Sequence, residues 1–407
     1  MDSSLLAGYA DIILSTGVNL AEGQPVLIRG DLASREFALV LAGRAYELGA
    51  CYVHTAYSDQ RLELARLRSS CAEHLSYVPS FVKPDYRAYI DENWASLSIS
   101  CSEDPDALEG ADSARLGEIR KASSKAAEGW LASISSNAIR WNVCLFPSPR
   151  WAAKVLGGEQ DSERRIWEIL RPILRLDAPD PARAWLDHDS ELKRRAGFLN
   201  ERRFDSFRIE GPGTDLTIGM APDRVFCGGR CEAKDGRLFF PNIPTEEVFT
   251  TPHCRRAEGS VRCTRPVQVL GTNVEDAWFR FEGGKVVDFG ARRNESVLGQ
   301  FLDTDEGARS IGELALVGAD SPIYRSGLVF HNILFDENAA CHIALGNGYT
   351  ECVEGAGSLD RDGLLTRGSN VSIVHIDFMI GSAEVSVSGL DQAGKATEVI
   401  RNGLFVI

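Results

Sequence analysis

The chain has 407 residues, a net charge of −14, 44% hydrophobic residues and 25% charged residues. A chain of this length exceeds what one hydrophobic core usually serves, so two domains are expected. A protein that binds nucleic acid needs a basic face to neutralise phosphates, and the acidic balance argues against such a partner. The same balance is compatible with divalent metal ions and with substrates that carry an amine.

The cysteines and the opening residues suggest a compartment. The chain contains 10 cysteines without CxxC spacing, and scattered cysteines in a long chain are typical of reduced, buried thiols. Residues 1–20 have an amphipathic helical pattern without the basic region of a signal peptide. A membrane-spanning helix would need a run of about 18 apolar residues, and the sequence contains none. We therefore expect a cytoplasmic protein without a membrane partner.

The first third of the chain alternates short apolar runs with a helical pattern. A helix is predicted over 33–48, followed by Gly49 as a C-cap residue. Strands are predicted at 25–29, 51–55, 94–101 and 139–146. Because strand–helix–strand alternation usually joins parallel strands, we expect an α/β domain built on a parallel sheet.

The pattern changes after a proline-rich segment near residue 180. A helix is predicted from Ser190 to about Arg203, with Ser190 as its N-cap. The domain boundary is placed in this region, which gives an N-terminal domain over 1–195 and a C-terminal domain over 196–407.

Short strands separated by glycine dominate the second half of the chain. The predicted elements are hairpin strands at 207–209 and 216–218, strands at 277–281 and 285–289, and helices over 305–317 and 337–345. Paired strands joined by tight glycine turns are antiparallel. The C-terminal domain is therefore expected to be α+β with largely antiparallel sheet.

A histidine and an aspartate lie two residues apart in a segment rich in β-branched residues. His375 and Asp377 belong to the run from Val371 to Gly381, which predicts a strand. Because side chains alternate along a strand, both would lie on one face with Cα atoms roughly 7 Å apart. Such a pair can chelate one metal ion, although a hydrogen-bonded His/Asp pair is also compatible with the pattern.

A second histidine follows an acidic pair. The segment from Asp336 to Gly346 is predicted as a helix with Asp336 as N-cap. Five residues of helix would separate Glu337 from His342 by about 140° around the axis. Both side chains could still border one pocket. The alternative is a capped surface helix with a buried histidine.

Carboxylates also occur in two apolar segments. Glu313 precedes four apolar residues, where a carboxylate is costly unless it is paired or metal-bound. Gly312 beside it permits a close backbone approach. Glu246 and Glu247 enter a β-type run and would point to opposite faces, one to solvent and one to a site. The alternatives are a helix boundary at Glu313 and a solvated acidic turn at 246–247.

These segments together supply two histidines and at least four carboxylates. A set of donors rich in carboxylates and free of cysteine suits a two-metal centre for hydrolysis. Two divalent ions about 3.5–4 Å apart can share a carboxylate and a water, whose pKa they lower. Zinc, cobalt and manganese all accept such ligands.

Four motifs in this order resemble the M29 family of metalloaminopeptidases. The motifs are EEVFTTPH (246–253), GELALV (312–317), LFDENAACHIALG (334–346) and VHIDFMIG (374–381), and the similarity extends to 17–30 and 33–50. The resemblance implies an N-terminal α/β domain and a C-terminal domain that carries a dinuclear metal site. It also implies a homodimer that releases N-terminal residues from peptides with a free amino terminus.

The resemblance also assigns roles to residues of the motifs. The implied metal ligands are Glu247, Glu313, His342, His375 and Asp377, with Glu313 bridging the two ions, and Glu337 is included as a further acidic ligand. Glu313 or Glu337 would carry the proton to the leaving amine. Tyr349 matches a tyrosine that stabilises the tetrahedral intermediate. His253, six residues after Glu247, is a candidate for the substrate pocket.

Other classes of protein remain as alternatives. His342, His375 and Asp377 also form the set of two histidines and one carboxylate used by mononuclear iron oxygenases, and some ring-cleaving dioxygenases resemble this family in fold. A single iron does not need Glu247 and Glu313, which favours the peptidase. A non-catalytic scaffold would have lost ligands, and a serine hydrolase would carry a GxSxG elbow, which is absent from the sequence.

Overall fold

A computed structural model describes residues 3–108, 110–158, 160–356 and 359–407. Met1 and Asp2, the start of the predicted opening helix, lie outside the described residues. The chain forms two compact units, Met1–Asp187 with Arg230–Pro244, and His188–Gly229 with Thr245–Ile407. The chain therefore enters the second unit, returns briefly to the first and then completes the second.

The helices lie mainly in the first half of the chain. The α-helices are α1 (Ser3–Asp11), α2 (Arg35–Glu47), α3 (Gln60–Ser69), α4 (Val82–Asp91), α5 (Ser113–Ala126), α6 (Glu128–Ser135), α7 (Pro149–Val155), α8 (Ser162–Ile173), α9 (Pro181–Arg202), α10 (Glu295–Leu302), α11 (Pro322–Arg325), α12 (Ile333–Asp336) and α13 (Arg361–Thr366). Among the described residues, no helix combines the length and the apolar character needed to cross a membrane.

The strands become frequent after α9. They are β1 (Val26–Asp31), β2 (Val53–Ser58), β3 (Ala95–Ser100), β4 (Trp141–Leu145), β5 (Ser206–Gly211), β6 (Thr214–Met220), β7 (Cys231–Glu232), β8 (Leu238–Phe239), β9 (Asn242–Ile243), β10 (Val248–Thr250), β11 (Pro252–Arg262), β12 (Val267–Val269), β13 (Thr272–Val274), β14 (Trp278–Glu282), β15 (Lys285–Gly290), β16 (Ile311–Leu316), β17 (His342–Gly346), β18 (His375–Met379), β19 (Ser386–Leu390), β20 (Ala396–Arg401) and β21 (Leu404–Phe405).

The first unit contains the predicted parallel sheet. Its strand order is β2-β1-β3-β4-β9, and each neighbouring pair is parallel. Helix α2 connects β1 to β2, as the strand–helix–strand pattern predicted. The apolar side chains of the first strand, Val26, Leu27 and Ile28, are buried.

The second unit is built on antiparallel sheets. The larger sheet has the order β15-β14-β11-β6-β5-β19-β20-β21, and a smaller one has the order β10-β16-β17-β18. The predicted hairpin of β5 and β6 is present, with Phe207 opposite Ile218. The described residues thus form a mixed α/β protein with one parallel sheet and several antiparallel ones.

Helix α9 begins earlier than predicted. It starts at Pro181. Proline has no backbone N–H group, but the N–H groups of the first helical turn have no partner within the helix, so no hydrogen bond is lost there. The Asp180 carboxylate accepts a hydrogen bond from the Arg183 amide at 2.9 Å. This cap replaces Ser190, which lies inside the helix.

The helices predicted over 305–317 and 337–345 are wrong. Strand β16 occupies the end of the first segment and β17 begins inside the second, and only the short 3₁₀ turns Glu306–Arg309 and Glu337–Ala339 are helical. Both strands are buried on both faces, so their apolar runs lack a clear strand pattern. The Asp336 carboxylate accepts hydrogen bonds from the Phe330 and Asn332 amides instead of capping a helix that reaches His342.

One face of the smaller sheet packs into the core of the second unit. Its apolar side chains share a buried cluster with Phe279 and Phe301 of neighbouring elements. The members from the sheet are Val248, Leu314, Leu316, Ile343, Leu345 and Phe378. Full burial of each such side chain contributes about 1.5–3 kcal/mol to the stability of the folded protein, so this packing holds the sheet in place. The side chains of the opposite face are then available for other contacts.

Candidate metal centre

Two carboxylates meet across three strands of the smaller sheet. Glu313 on β16 lies opposite Ala344 on β17, and Ala344 lies opposite Asp377 on β18. Residues in one such row point to the same face of a sheet. The small Ala344 side chain leaves room for the longer side chains on both sides to approach each other above it.

A β-bulge brings Glu313 into this row. The pairing of β16 with β17 shifts between Ile311 and Glu313, that is, at Gly312. A Cβ atom at position 312 would lie 2.3 Å from the carbonyl oxygen of Asn347, so only glycine permits this approach of the two backbones. The extra residue of a bulge reverses the side-chain alternation, which turns Glu313 toward Ala344 and away from the core.

The two histidines lie on the same face as the carboxylates. His342 is two residues before Ala344, and His375 is two residues before Asp377. The His375 Nε2 atom lies 3.3 Å from Glu313 Oε2 and 3.2 Å from Asp377 Oδ1. The predicted placement of His375 and Asp377 on one face of a strand is confirmed.

Glu246 and Glu247 point to different partners. Glu247 Oε2 lies 3.3 Å from His342 Nε2, whereas Glu246 Oε2 lies 3.4 Å from His188 Nε2. The opposite orientation is as predicted. The expectation that one of the two reaches solvent is wrong, because Glu246 and Glu247 are only 6% and 7% exposed.

The predicted ligands form two overlapping groups. The groups are Glu247, Glu313 and His342, and Glu313, His375 and Asp377, and within each the possible ligand atoms lie within 4.8 Å of one another. Glu313 belongs to both groups. Glu337 belongs to neither, but burial, followed by the negative charges of Glu247 and Asp377, raises its pKa well above its usual range.

Backbone carbonyl groups orient both imidazole rings. His342 Nδ1 lies 3.1 Å from the carbonyl oxygen of Ala340, and His375 Nδ1 lies 2.7 Å from that of Asn347. A carbonyl oxygen can only accept a hydrogen bond, so Nδ1 carries a proton in each ring. The Nε2 atoms therefore face the carboxylates and are free to serve as metal ligands.

Burial and mutual charge shift the pKa values of these groups strongly. Burial, reinforced by the charge of Asp377, raises the pKa of Glu313 to about 7. Burial opposes the protonation of His342, but Glu247, Asp377 and Glu313 outweigh it and raise the pKa of His342 to about 10. The cluster without a metal ion thus holds protons between its acidic and basic groups.

The residues of the cluster fit divalent metal ions. Glu247 Oε2 and Asp377 Oδ1 are buried and accept no well-aligned hydrogen bond, although each lies close to a histidine Nε2 atom. A buried carboxylate oxygen without a well-aligned hydrogen bond is costly, and a cation would remove that cost. Imidazole nitrogen and carboxylate oxygen, without thiolate, are donors suited to zinc, cobalt or manganese.

Tyr349 lies at the edge of the cluster. Its hydroxyl oxygen is 3.3 Å from His375 Nε2, and its ring packs against His375 and Phe249. The side chain is 36% exposed. Local desolvation, followed by the charges of Glu313 and Asp377, raises the pKa of Tyr349, so the hydroxyl stays protonated and can donate a hydrogen bond.

His253 stands apart from both groups. Its Nδ1 atom accepts a hydrogen bond from the Arg255 amide at 3.1 Å. Burial, together with the charges of Arg256 and Arg255, lowers the pKa of His253, so the ring is neutral near pH 7. Its role in a substrate pocket stays a prediction.

Sequence reasoning did not identify Asn338 as a residue of this site. Its side chain is fully buried and accepts a hydrogen bond from the Glu246 amide at 2.7 Å. The available signal was a side-chain amide placed between Glu337 and two alanines, in a segment with buried apolar neighbours. A buried polar group needs hydrogen-bond partners, so this position could have been identified as a structural contact.

A sheet face that gathers buried histidines and carboxylates into two overlapping ligand groups is the kind of site that a metalloenzyme uses, and it is a candidate metal centre. The family model described as "Thermophilic metalloprotease (M29)" matches residues 2–405. The chain belongs to the M29 family.

Curated relatives and a solved structure agree over nearly the whole length. The chain is 42% identical to "Aminopeptidase T" of Thermus aquaticus over 400 residues, which are 98% of this chain and 97% of that protein. It is 36% identical to "Aminopeptidase 2" of Geobacillus stearothermophilus over 397 residues, 97% of this chain and 96% of that protein. The structure described as "Wild-type AmpT from Thermus thermophilus" matches with a TM-score of 0.93 and 40% identity over 100% of both chains. The iron dioxygenase alternative finds no support among these relatives.

Proposed function

We propose that this metalloaminopeptidase releases N-terminal residues from peptides with two divalent ions bound in its second unit. One ion would be held by Glu247, Glu313 and His342, and the other by Glu313, His375 and Asp377. The observation that carries the proposal is that Glu313 is common to both groups, because a shared carboxylate is what joins a pair of ions.

The acidic cluster suits a substrate with a free amino terminus. When bound, two divalent ions polarise the scissile carbonyl and lower the pKa of a water molecule. The chain's own carboxylates attract the positively charged amino group of the peptide. The orientation of both histidines by backbone carbonyls keeps the ligand atoms in place during the reaction.

Tyr349 would stabilise the oxyanion that develops on the scissile carbonyl. Its protonated hydroxyl lies beside His375 at the edge of the cluster, where the side chain remains partly exposed. A hydrogen bond that is stronger in the transition state than in the ground state lowers the barrier.

Glu337 would carry the proton from the attacking water to the leaving amine. It belongs to neither of the two groups of close ligand atoms, so its carboxylate is available for proton transfer, although the family resemblance also makes it a candidate metal ligand. Desolvation, followed by the charges of Glu247 and Asp377, raises the pKa of Glu337 well above its usual range. A carboxylate beside the attacking water can accept its proton and then donate it to the leaving amine, which is the role of a general acid–base residue.

The family resemblance supports three further proposals. We propose that residues 196–407 contain the catalytic domain, that the molecule is a homodimer, and that it acts in the cytoplasm. Sedimentation equilibrium tests the dimer, since a mass of one chain would contradict it.

Metal reconstitution tests the central proposal. The purified protein is stripped with a chelator, and hydrolysis of leucine p-nitroanilide is measured while zinc, cobalt or manganese is added back. We expect activity to vanish and then return as the metal approaches two equivalents per chain. Full activity at one equivalent would overturn the two-metal proposal.

Two adjacent carboxylates provide a matched control. Glu247→Gln should prevent recovery of activity, because Glu247 is one of the proposed ligands. Glu246→Gln alters a side chain of similar burial that lies beside His188 instead. It should still bind two equivalents of metal. Equal loss of metal in both variants would contradict the assignment of Glu247.

A further inference from the structure

The side chain of Asn338 is held by hydrogen bonds at both ends. Asn338 is 0% exposed and lies in the 3₁₀ turn Glu337–Ala339. Its Oδ1 atom accepts a hydrogen bond from the Glu246 amide at 2.7 Å, and its Nδ2 group donates to the Leu334 carbonyl at 2.9 Å. The Ser321 hydroxyl donates to the Asn338 carbonyl at 2.8 Å, which anchors the backbone as well.

The same amide reaches both acidic segments of the metal centre. Asn338 Nδ2 donates a second, longer hydrogen bond to Glu337 Oε1 at 3.4 Å. Its contact with Glu246 holds the residue that precedes Glu247, although the two segments are 92 positions apart in the chain. One buried side chain therefore fixes the position of Glu247 relative to Glu337.

The connection joins the segments of two acidic residues. Burial, followed by the charge of Glu247, raises the pKa of Glu337, and a further charge between the two segments would be costly in a poorly solvated site. A neutral amide can accept a hydrogen bond from one segment and donate to the other without adding charge. Alanine can do neither, and aspartate can only accept when it is ionised.

We propose that Asn338 is a positioning residue that sets the separation of Glu247 and Glu337 and thereby the affinity of the metal centre. It belongs to neither group of proposed metal ligands and acts through the Glu246 backbone and the Glu337 carboxylate. The inference rests on the proposed two-metal function.

Cobalt titration of the metal-free protein tests this role. Visible absorption of bound Co²⁺ and equilibrium dialysis give the affinity of each site and the number of ions bound. We expect Asn338→Ala to weaken at least one site about 10- to 100-fold, the usual effect of removing a group that orients metal ligands.

Asn200→Ala is the matched control. Asn200 lies in the same unit, and its amide also exchanges two hydrogen bonds with a distant backbone group, that of Phe226. Its loss removes the same number of backbone contacts away from the metal centre. We expect a lower melting temperature but cobalt affinities and absorption like those of the wild type.

Asn338→Asp separates positioning from charge. This variant has nearly the same shape and can still accept from the Glu246 amide, but it cannot donate to Glu337 when ionised. An added negative charge by itself would strengthen the binding of a cation. A weaker cobalt site in N338D therefore reports the lost connection to Glu337, and this variant decides the question if N338A does not fold.

The results distinguish this inference from the proposed function. A wild-type protein that fails to bind two cobalt ions would overturn the two-metal centre itself. If the wild type binds two ions but folded N338A and N338D differ from it by less than about threefold, Asn338 has no positioning role. Equal weakening in N200A would also overturn the role, because it would reflect lost stability alone.

Discussion

The Nε2 atom of His375 lies 3.3 Å from Oε2 of Glu313, although strand β17 separates the strands that carry them. The contact is formed above Ala344, the small residue between Glu313 and Asp377 in the row across the sheet. Glu313 therefore reaches the group that contains His375 while remaining within reach of His342. A change at Glu313 should consequently affect both metal ions.

Glu313→Gln should reduce activity on the order of 100-fold or more and lower the metal content below two ions per chain. The neutral amide keeps the shape of the side chain but cannot act as a shared anionic ligand. Hydrolysis of leucine p-nitroanilide and metal analysis after dialysis measure the two effects. Glu258→Gln changes an exposed carboxylate of the same unit and should have no effect. Retention of more than about a tenth of the wild-type rate by folded E313Q would contradict the role.

Tyr349→Phe should lower kcat about 100-fold and leave KM nearly unchanged, because the hydroxyl is assigned to the oxyanion and not to the bound peptide. The substituted ring can still pack against Phe249 and His375. Steady-state kinetics with leucine p-nitroanilide separate the two constants.

Tyr324→Phe provides the control for the loss of a hydroxyl group. Tyr324 accepts a hydrogen bond from the Ala383 amide in the same unit and belongs to neither ligand group. Its variant should retain the wild-type kcat. A similar decrease in both variants, or a change in KM alone for Tyr349→Phe, would exclude the proposed role of Tyr349.

The sequence predicted which residues come together better than it predicted the elements that carry them. The parallel sheet of the first unit could be predicted because short apolar runs alternate with the α2 pattern. The strand of His375 and Asp377 could be predicted because β-branched residues surround it. Residues 230–244 belong to the first unit, where the short strand β9 pairs with β4 and Asn242 lies opposite Val143. The local sequence does not encode so short a pairing between distant segments.

The two incorrect helices have a specific cause. In β16, Leu314 faces the core while Glu313 and Ala315 face the site. In β17, Ile343 faces the core and His342 faces the site. The sequence hides this alternation, because the site face also carries small apolar residues such as Ala315 and Ala344, and both runs look almost uniformly apolar. The bulge at Gly312 arises from contact with a distant segment and could not be predicted from the local pattern.

Metal binding should release about two protons per chain near pH 8. Burial opposes protonation of His375, but Asp377 and Glu313 outweigh it and raise the pKa of His375 well above its usual range. His342, with a pKa of about 10, also carries an extra proton in the metal-free chain. Each Nε2 atom must lose its proton to bind a metal ion, so affinity should fall as the pH falls.

Addition of zinc to the metal-free protein in weakly buffered solution measures this release with a pH indicator. His375→Ala should release about one proton fewer than the wild type, since one of the two displaced protons belongs to that ring. A wild-type protein that binds zinc without acidifying the solution would contradict the raised pKa values of both histidines.

Gly312→Ala and Gly197→Ala should have opposite effects. A Cβ atom at position 312 would lie 2.3 Å from the Asn347 carbonyl oxygen, the group that orients His375. That carbonyl must move, which should destabilise the protein by roughly 1–3 kcal/mol or more and weaken metal binding.

At position 197, inside α9, a Cβ atom would meet nothing within 4 Å. Alanine there should stabilise the helix by about 0.5–1 kcal/mol and leave metal binding unchanged. Melting temperatures and cobalt titrations of both variants test the comparison, and normal metal affinity in G312A would mean that the close approach of the backbone at Gly312 does not hold His375 in place.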